Sequence, residues 1–150
     1  METDNVLMTR DEFREAVFER DQHTCVCCPV TSGLAAHHII ERRVFGKEGN
    51  WGFEVSNGAT LCGEHHLHSE CGILSCEEVR RAAGIDEIVL PLGMDVSLNY
   101  DKWCNAIDEY GSVIIPGPLF DSDQFQKVMK IKMKIRMKAS YLSKKPLSRV

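Results

Sequence analysis

Nowhere in the 150 residues does an apolar run approach the roughly 18 needed to cross a bilayer, so no transmembrane helix is expected. The N-terminus, M-E-T-D-N-V-L-M-T-R, lacks the basic-then-apolar order of a secretory signal, which points to a cytoplasmic or nucleoid-associated protein. No internal repeat and no low-complexity linker interrupts the chain, and its length suits a compact fold with a modest core. Acidic residues are missing altogether after residue 123. That absence exposes an asymmetry hidden in the net charge of −4. Residues 124–150 carry nine basic groups, while residues 1–123 set the other nine against all 22 acids, a balance of −13. Such a basic end is either a solvated, frayed face or an arm for a polyanion.

A disulfide framework is not expected either. The seven cysteines are odd in number and no export signal accompanies them. Cys25, Cys27 and Cys28 lie within four positions, and such crowding favours metal or redox chemistry over pairing.

Local signals outline the elements. Thr9 with Glu12 is a capping box, and Phe13, Ala16, Val17 and Arg20 recur at helical spacing, so a first helix should end near Asp21. After a polar loop around the cysteines, Leu34 to Ile40 (L-A-A-H-H-I-I) reads as a short buried strand. Asn57-Gly58 signals a turn, Ala59 to Cys62 a second strand, and a helix from near Gly63 carries Glu64 to Glu70. Ser75 with Glu78 opens another helix that Gly84 closes. Further on, the pattern predicts a strand at Ile88–Leu90, a helix over Tyr100–Tyr110 and a strand at Ser112–Ile115. Asp121 or Ser122 caps a last helix through Gln126 and Lys127. Strict alternation in I-K-M-K-I-R-M-K, Ile131 to Lys138, favours a strand with Lys132, Lys134, Arg136 and Lys138 along one basic face, although Met, Lys and Arg prefer helices.

The chemistry concentrates between Cys25 and Glu70. Cys25-x-x-Cys28 and Cys62-x-x-His65 each present two ligands across a two-residue gap, and together they supply the four soft or borderline donors of a structural zinc site. Cys27 is the spare. The paired histidines divide their tasks. Neighbours on a strand point to opposite faces, so His37 and His38 cannot both hold one ion in the same way. Neighbours on a helix lie about 100° apart, so His65 can face the zinc while His66 faces elsewhere. One strand histidine and one helix histidine could then grip a second metal.

A-H-H-I-I, then N-G-A, then L-C-G-E-H-H, framed by C-V-C-C, resembles the HNH endonuclease family over roughly residues 13–70. The resemblance implies an α+β fold with a small ββα-metal core framed by structural zinc, spanning residues 9–72. Residues 73–150 would form a C-terminal α/β extension packed on that core. It also implies a nuclease that hydrolyses phosphodiester bonds, usually in DNA, with one catalytic divalent metal (magnesium, manganese, nickel or zinc). By position, His37 and His66 would ligate that metal, His38 would be the general base, and Asn57 would orient the hairpin. Many zinc-framed relatives carry C-x-x-C where this chain has Cys62-x-x-His65, which leaves His65 and His66 both open as the zinc ligand. Some relatives add a third catalytic-metal ligand one turn later, where this chain has Glu70; an exposed carboxylate near a helix end is the competing reading.

A histidine near its ordinary pKa of about 6.5 can take a proton from water at neutral pH. A metal held by two or three protein groups keeps positions open for a phosphate oxygen. Arg42 and Arg43 follow the histidine strand and suit phosphate contact by their forked geometry, unless they pair with Glu41 or Glu48. The expected partner is nucleic acid, more often DNA than RNA, with no membrane role. Residues 71–150 are open to a homodimer or protein contact. Two rival readings are a zinc-stabilised nucleic-acid-binding module without cleavage and, from Cys25-x-x-Cys28 alone, a thiol redox protein.

Overall fold

The computed structural model describes residues 8–144. Lys145 and Arg149 of the basic end lie outside this range, as do the first seven residues of the N-terminal segment. The described residues form a mixed α+β fold, with five α-helices and two small antiparallel sheets. No helix among the described residues is long and apolar enough to cross a membrane.

Helix α1 (Arg10–Arg20) starts as its capping box dictates: the Thr9 hydroxyl accepts from the Glu12 N–H while the Glu12 carboxylate accepts from the Thr9 N–H. It buries Phe13 and Val17. Its last residue, Arg20, donates to the carbonyls of Val55 and Gly58 at 2.8 and 2.6 Å, and the Asp21 carboxylate accepts from the Thr60 N–H at 2.9 Å. These bonds pin α1 across the first sheet. That sheet pairs β1 (Ala35–His38) with β2 (Gly58–Leu61), and His37 lies opposite Ala59, His38 opposite Gly58. Gly58 is required there. A Cβ would come within 2.6 Å of the Phe13 ring and 2.5 Å of Val17, so any larger residue would push α1 off the strand.

A four-residue helix, α2 (Arg42–Phe45), follows β1, and α3 (Gly63–Glu70) follows β2 directly. Helix α4 (Cys76–Ala83) has the expected Ser75–Glu78 capping box and a left-handed Gly84 at its end. Cys76 and Val79 of α4, together with Cys104, share one apolar core with Ile39, Ile40 and Ala59, so the later part of the chain packs against the histidine hairpin.

Three expectations after residue 84 are corrected. Ile88–Leu90 forms no strand; only Val89 of the three is buried and no neighbouring strand pairs with it. Tyr100–Tyr110 is not a helix but two short strands, β3 (Asn99–Tyr100) and β4 (Ala106–Ile107), joined by a tight turn and extended by β5 (Val113–Ile115). The Asp101 carboxylate forces that turn by accepting from the N–H groups of Trp103 and Asn105, both at 2.9 Å, with Cys104 left-handed at φ 65°. Ile131–Lys138 is no strand either. It lies inside α5 (Asp123–Lys144), whose N-terminus the Ser122 hydroxyl caps by accepting from the Phe125 N–H at 3.2 Å. Helix preference overrides the alternation because no strand edge meets this segment. Instead Phe125, Val128, Met129, Lys132 and Ile135 form a docking stripe at helical spacing.

Candidate functional site

Two ligand clusters meet on α3, and adjacent histidines serve them. The first joins Cys25, Cys28, Cys62 and His65, whose donor atoms all lie within 4.8 Å of one another. Cys25 and Cys28 come from the loop after α1, while Cys62 caps α3 and His65 sits in its first turn. Cys28 Sγ lies 3.7 Å from Cys62 Sγ, and His65 Nδ1 lies 3.7 Å from Cys25 Sγ and 3.2 Å from Cys62 Sγ. Zinc–sulfur bonds of about 2.3 Å in a tetrahedron place neighbouring sulfurs roughly 3.7 Å apart, so the spacing fits. A hydrogen bond from the His65 backbone is the main influence holding the Cys62 thiol below its ordinary pKa, towards the thiolate that a metal needs. Cys27 stands apart: burial, and then the neighbouring cysteines, push its thiol up to about 11. Cys25, Cys28, Cys62 and His65 are therefore positioned to hold a metal ion, consistent with a structural zinc. His65, not His66, completes the set.

The second cluster joins His37, His66 and Glu70. His37 and His66 meet edge to face, with their Nδ1 atoms 3.1 Å apart. Two imidazole nitrogens on one ion at about 2.1 Å stand roughly 3.0–3.4 Å apart, so this pair also fits. Glu70 Oε1 lies 3.7 Å from His37 Nδ1 and 3.7 Å from His66 Nε2. Its side chain is only 20 % exposed, so Glu70 is not the free surface carboxylate that its helix-end position suggested. Burial, then the Lys102 ammonium and neighbouring imidazoles, holds His37 well below its ordinary pKa. Burial also lowers His66, against the opposing pull of Glu70. Both rings stay neutral near pH 7, the form in which imidazole binds metal.

His38 does point the other way. Its ring stacks on Phe13 at 4.5 Å and tilts against Phe53 at 5.4 Å. Its Nε2 is shielded and makes no hydrogen bond among the described residues. Burial foremost, then Lys102, pushes its pKa down to about 4. His38 and His66 nevertheless line the same open cleft, of about 590 Å³, together with Arg10, Arg14 and Arg42. Three of the nine basic groups of the acidic body thus converge on one opening. Arg10 and Arg42 form no ion pair among the described residues.

Asn57 is buried and braces the hairpin. Its amide donates to the carbonyls of Ile40 and Gly52, and its Oδ1 accepts from the Ile40 N–H at 3.0 Å. It fixes the end of the histidine strand through hydrogen bonds to backbone. Arg43 differs from Arg42. It pairs with Glu41 at 3.1 Å and lies 5.8 Å above the Trp103 ring, so it is already engaged.

The basic segment is rearranged relative to the strand reading. On α5, Lys127, Lys130, Lys134 and Lys138 share one exposed stripe, while Lys132 and Arg136 lie on another side. Lys132 is half-buried, and desolvation holds its ammonium below the usual lysine range.

Motif reading missed Arg10, Arg14 and Lys102, and it named Glu41 only as a partner for Arg42 and Arg43. The arginines had a signal, since i, i+4 spacing puts them on one face of α1. Glu41 and Lys102 meet only through the tertiary fold. Comparison with family models, with curated proteins and with solved structures found no match to this chain.

Proposed function

We propose that this chain is a metal-dependent HNH-type endonuclease that hydrolyses phosphodiester bonds in nucleic acid, with DNA as the favoured substrate. The observation that carries this reading is the division of labour around β1. His37 turns to His66 and Glu70 as a ligand set, while His38 turns to an arginine-lined cleft that His66 also reaches. A bare structural site has no use for that second histidine face.

In this reading the ββα unit is β1, β2 and α3. His37, His66 and Glu70 would hold one divalent ion, which would supply Lewis acidity towards a phosphate oxygen and relief of developing charge. Arg10, Arg14 and Arg42 neutralise and orient the phosphodiester in the cleft. His38, neutral at pH 7, takes the proton of the attacking water through Nδ1, because Nε2 is shielded. Phe13 and Phe53 hold that ring in one orientation and shield it from bulk solvent. Cys25, Cys28, Cys62 and His65 would hold zinc and so fix the start of α3, which sets the position of His66. The exposed lysine stripe of α5 adds long-range attraction for a polyanion that the acidic body lacks.

The test is incubation of the zinc-loaded protein with supercoiled plasmid in magnesium, manganese, nickel or zinc, beside His38→Ala. Metal-dependent nicking or linearisation that His38→Ala abolishes supports the reading. Nucleic-acid binding without cleavage under all four metals would instead identify a zinc-stabilised binding module.

A further inference from the structure

No motif around the histidines includes Lys102, yet this residue touches both sides of the site. It is 4 % exposed, and its Nζ donates to the His38 carbonyl at 3.2 Å and to Glu41 Oε2 at 3.0 Å, and lies 3.4 Å from Glu70 Oε1. The backbone repeats the link, because the Glu41 N–H donates to the Lys102 carbonyl at 2.8 Å. The next residue grips the same helix end: the Trp103 indole N–H donates to the Glu70 carbonyl at 2.9 Å. The turn is itself held. The Asp101 carboxylate accepts from Trp103 N–H, from Asn105 N–H and from the Asn105 amide. Asn105 Oδ1 accepts from the Gly117 N–H at 2.6 Å, and Gly117 sits so close to the Cys104 carbonyl that a Cβ would collide with it.

A buried ammonium is costly unless paired, so a lysine here needs a reason. Glu41 neutralises it, and the remaining interaction goes to Glu70. We propose that the Lys102–Trp103 turn is a positioning element for the second metal centre: Lys102, neutralised by Glu41, fixes the Glu70 carboxylate and the His38 carbonyl together, and Trp103 fixes the backbone of Glu70. The inference rests on the reading of His37, His66 and Glu70 as a metal site. Through this turn the later part of the chain becomes part of the site and not an appendage.

The sign of one measurement distinguishes this from plain electrostatics. As a bare charge, Lys102 repels a divalent ion, so its removal alone should tighten metal binding, and its removal together with the Glu41 charge should leave binding about unchanged. As a positioning residue, its removal should loosen binding. The experiment titrates zinc-loaded protein with cobalt(II), following heat and the visible ligand-field spectrum, with no nucleic acid present. The double variant Glu41→Gln/Lys102→Met removes both members of the pair, so neither is left facing an absent partner, while Arg43 and Glu70 each lose one contact. It should bind cobalt at least about tenfold more weakly, with altered ligand-field bands, as happens when a residue that orients a ligand is removed. That loss should not add to the loss in Glu70→Ala, since both act through one carboxylate. Trp103→Phe keeps an aromatic ring and removes one hydrogen bond; about fivefold weaker binding is expected. If the double variant does not fold, Trp103→Phe decides alone. Unchanged or tighter binding in the variants, or a loss fully additive with Glu70→Ala, overturns the inference while leaving the metal site standing. Wild-type protein that takes up no ion beyond its zinc overturns both.

Discussion

The two donor clusters share one helix and one pair of adjacent histidines, but they differ in the number and kind of their donors. Around His65 the donors are three thiols and an imidazole, four in all, drawn from a loop and a helix start. Nothing is left open, and such a set contributes to folding. Around His66 the donors are two imidazoles and a carboxylate, and the rim is a cleft with arginines. On the proposed reading, an ion held by three protein donors would leave room for a substrate oxygen. One residue step along α3, about 100° of rotation, separates the four-donor cluster from the three-donor one.

The comparison breaks most visibly at the closed site. Cys28→Ala, or a strong chelator, should unfold the protein. Structural zinc in small domains contributes apparent free energies of about 10 kcal/mol or more, comparable to a whole domain's stability. A circular dichroism melt that ignores the chelator would rule out a structural role for zinc.

At the open site the effect should fall on chemistry rather than on the fold. His38→Ala should slow plasmid cleavage by about 10²–10⁴-fold, the usual range for removal of a general base, with duplex affinity nearly unchanged by fluorescence anisotropy. Retained cleavage would move the base role to another group.

Charge sharpens the comparison further. Replacing Arg10, Arg14 and Arg42 by alanine should reduce the slope of log affinity against log salt by roughly 2.7, about 0.9 for each phosphate no longer neutralised. Replacing Lys134 and Lys138 should reduce it less, because these residues lie on the helix stripe away from the cleft. Equal effects would mean that the cleft has no privileged role.

The smallest expected effect is on stability against pH. His38 is held down at about 4 by burial, below its unfolded value of about 6.5, so the unfolded chain binds more protons between those values. Stability is therefore full above about pH 6.5 and declines as pH falls towards 4. His38→Phe, which keeps the stack on Phe13, should flatten part of that decline in thermal melts between pH 7 and 5.5. An unaltered slope would show that His38 protonation is not coupled to folding.

What was legible in the chain was local. Capping boxes at Thr9 and Ser75 fixed helix starts, and the two-residue gaps in Cys25-x-x-Cys28 and Cys62-x-x-His65 paired the ligands, because each signal lies within one turn or knuckle. Strand alternation separated His37 from His38. Lys102 was hidden because its partner Glu41 lies 61 positions away, and because its turn falls in a stretch whose pattern reads as a helix. Asp101 and Asn105 in D-K-W-C-N were the overlooked turn signal. The period-two pattern of Ile131–Lys138 misled because alternation has meaning only where a sheet gives the strand two faces; α5 meets a single docking surface.

Metal content under graded chelation tests the pairing of a closed site with an open one most directly. Protein saturated with zinc and a second divalent ion, then dialysed against a weak chelator, should keep one zinc per chain, remain folded and lose cleavage, and should regain cleavage on addition of manganese or nickel. Loss of both ions together, or uptake of one ion only under every condition, would contradict it.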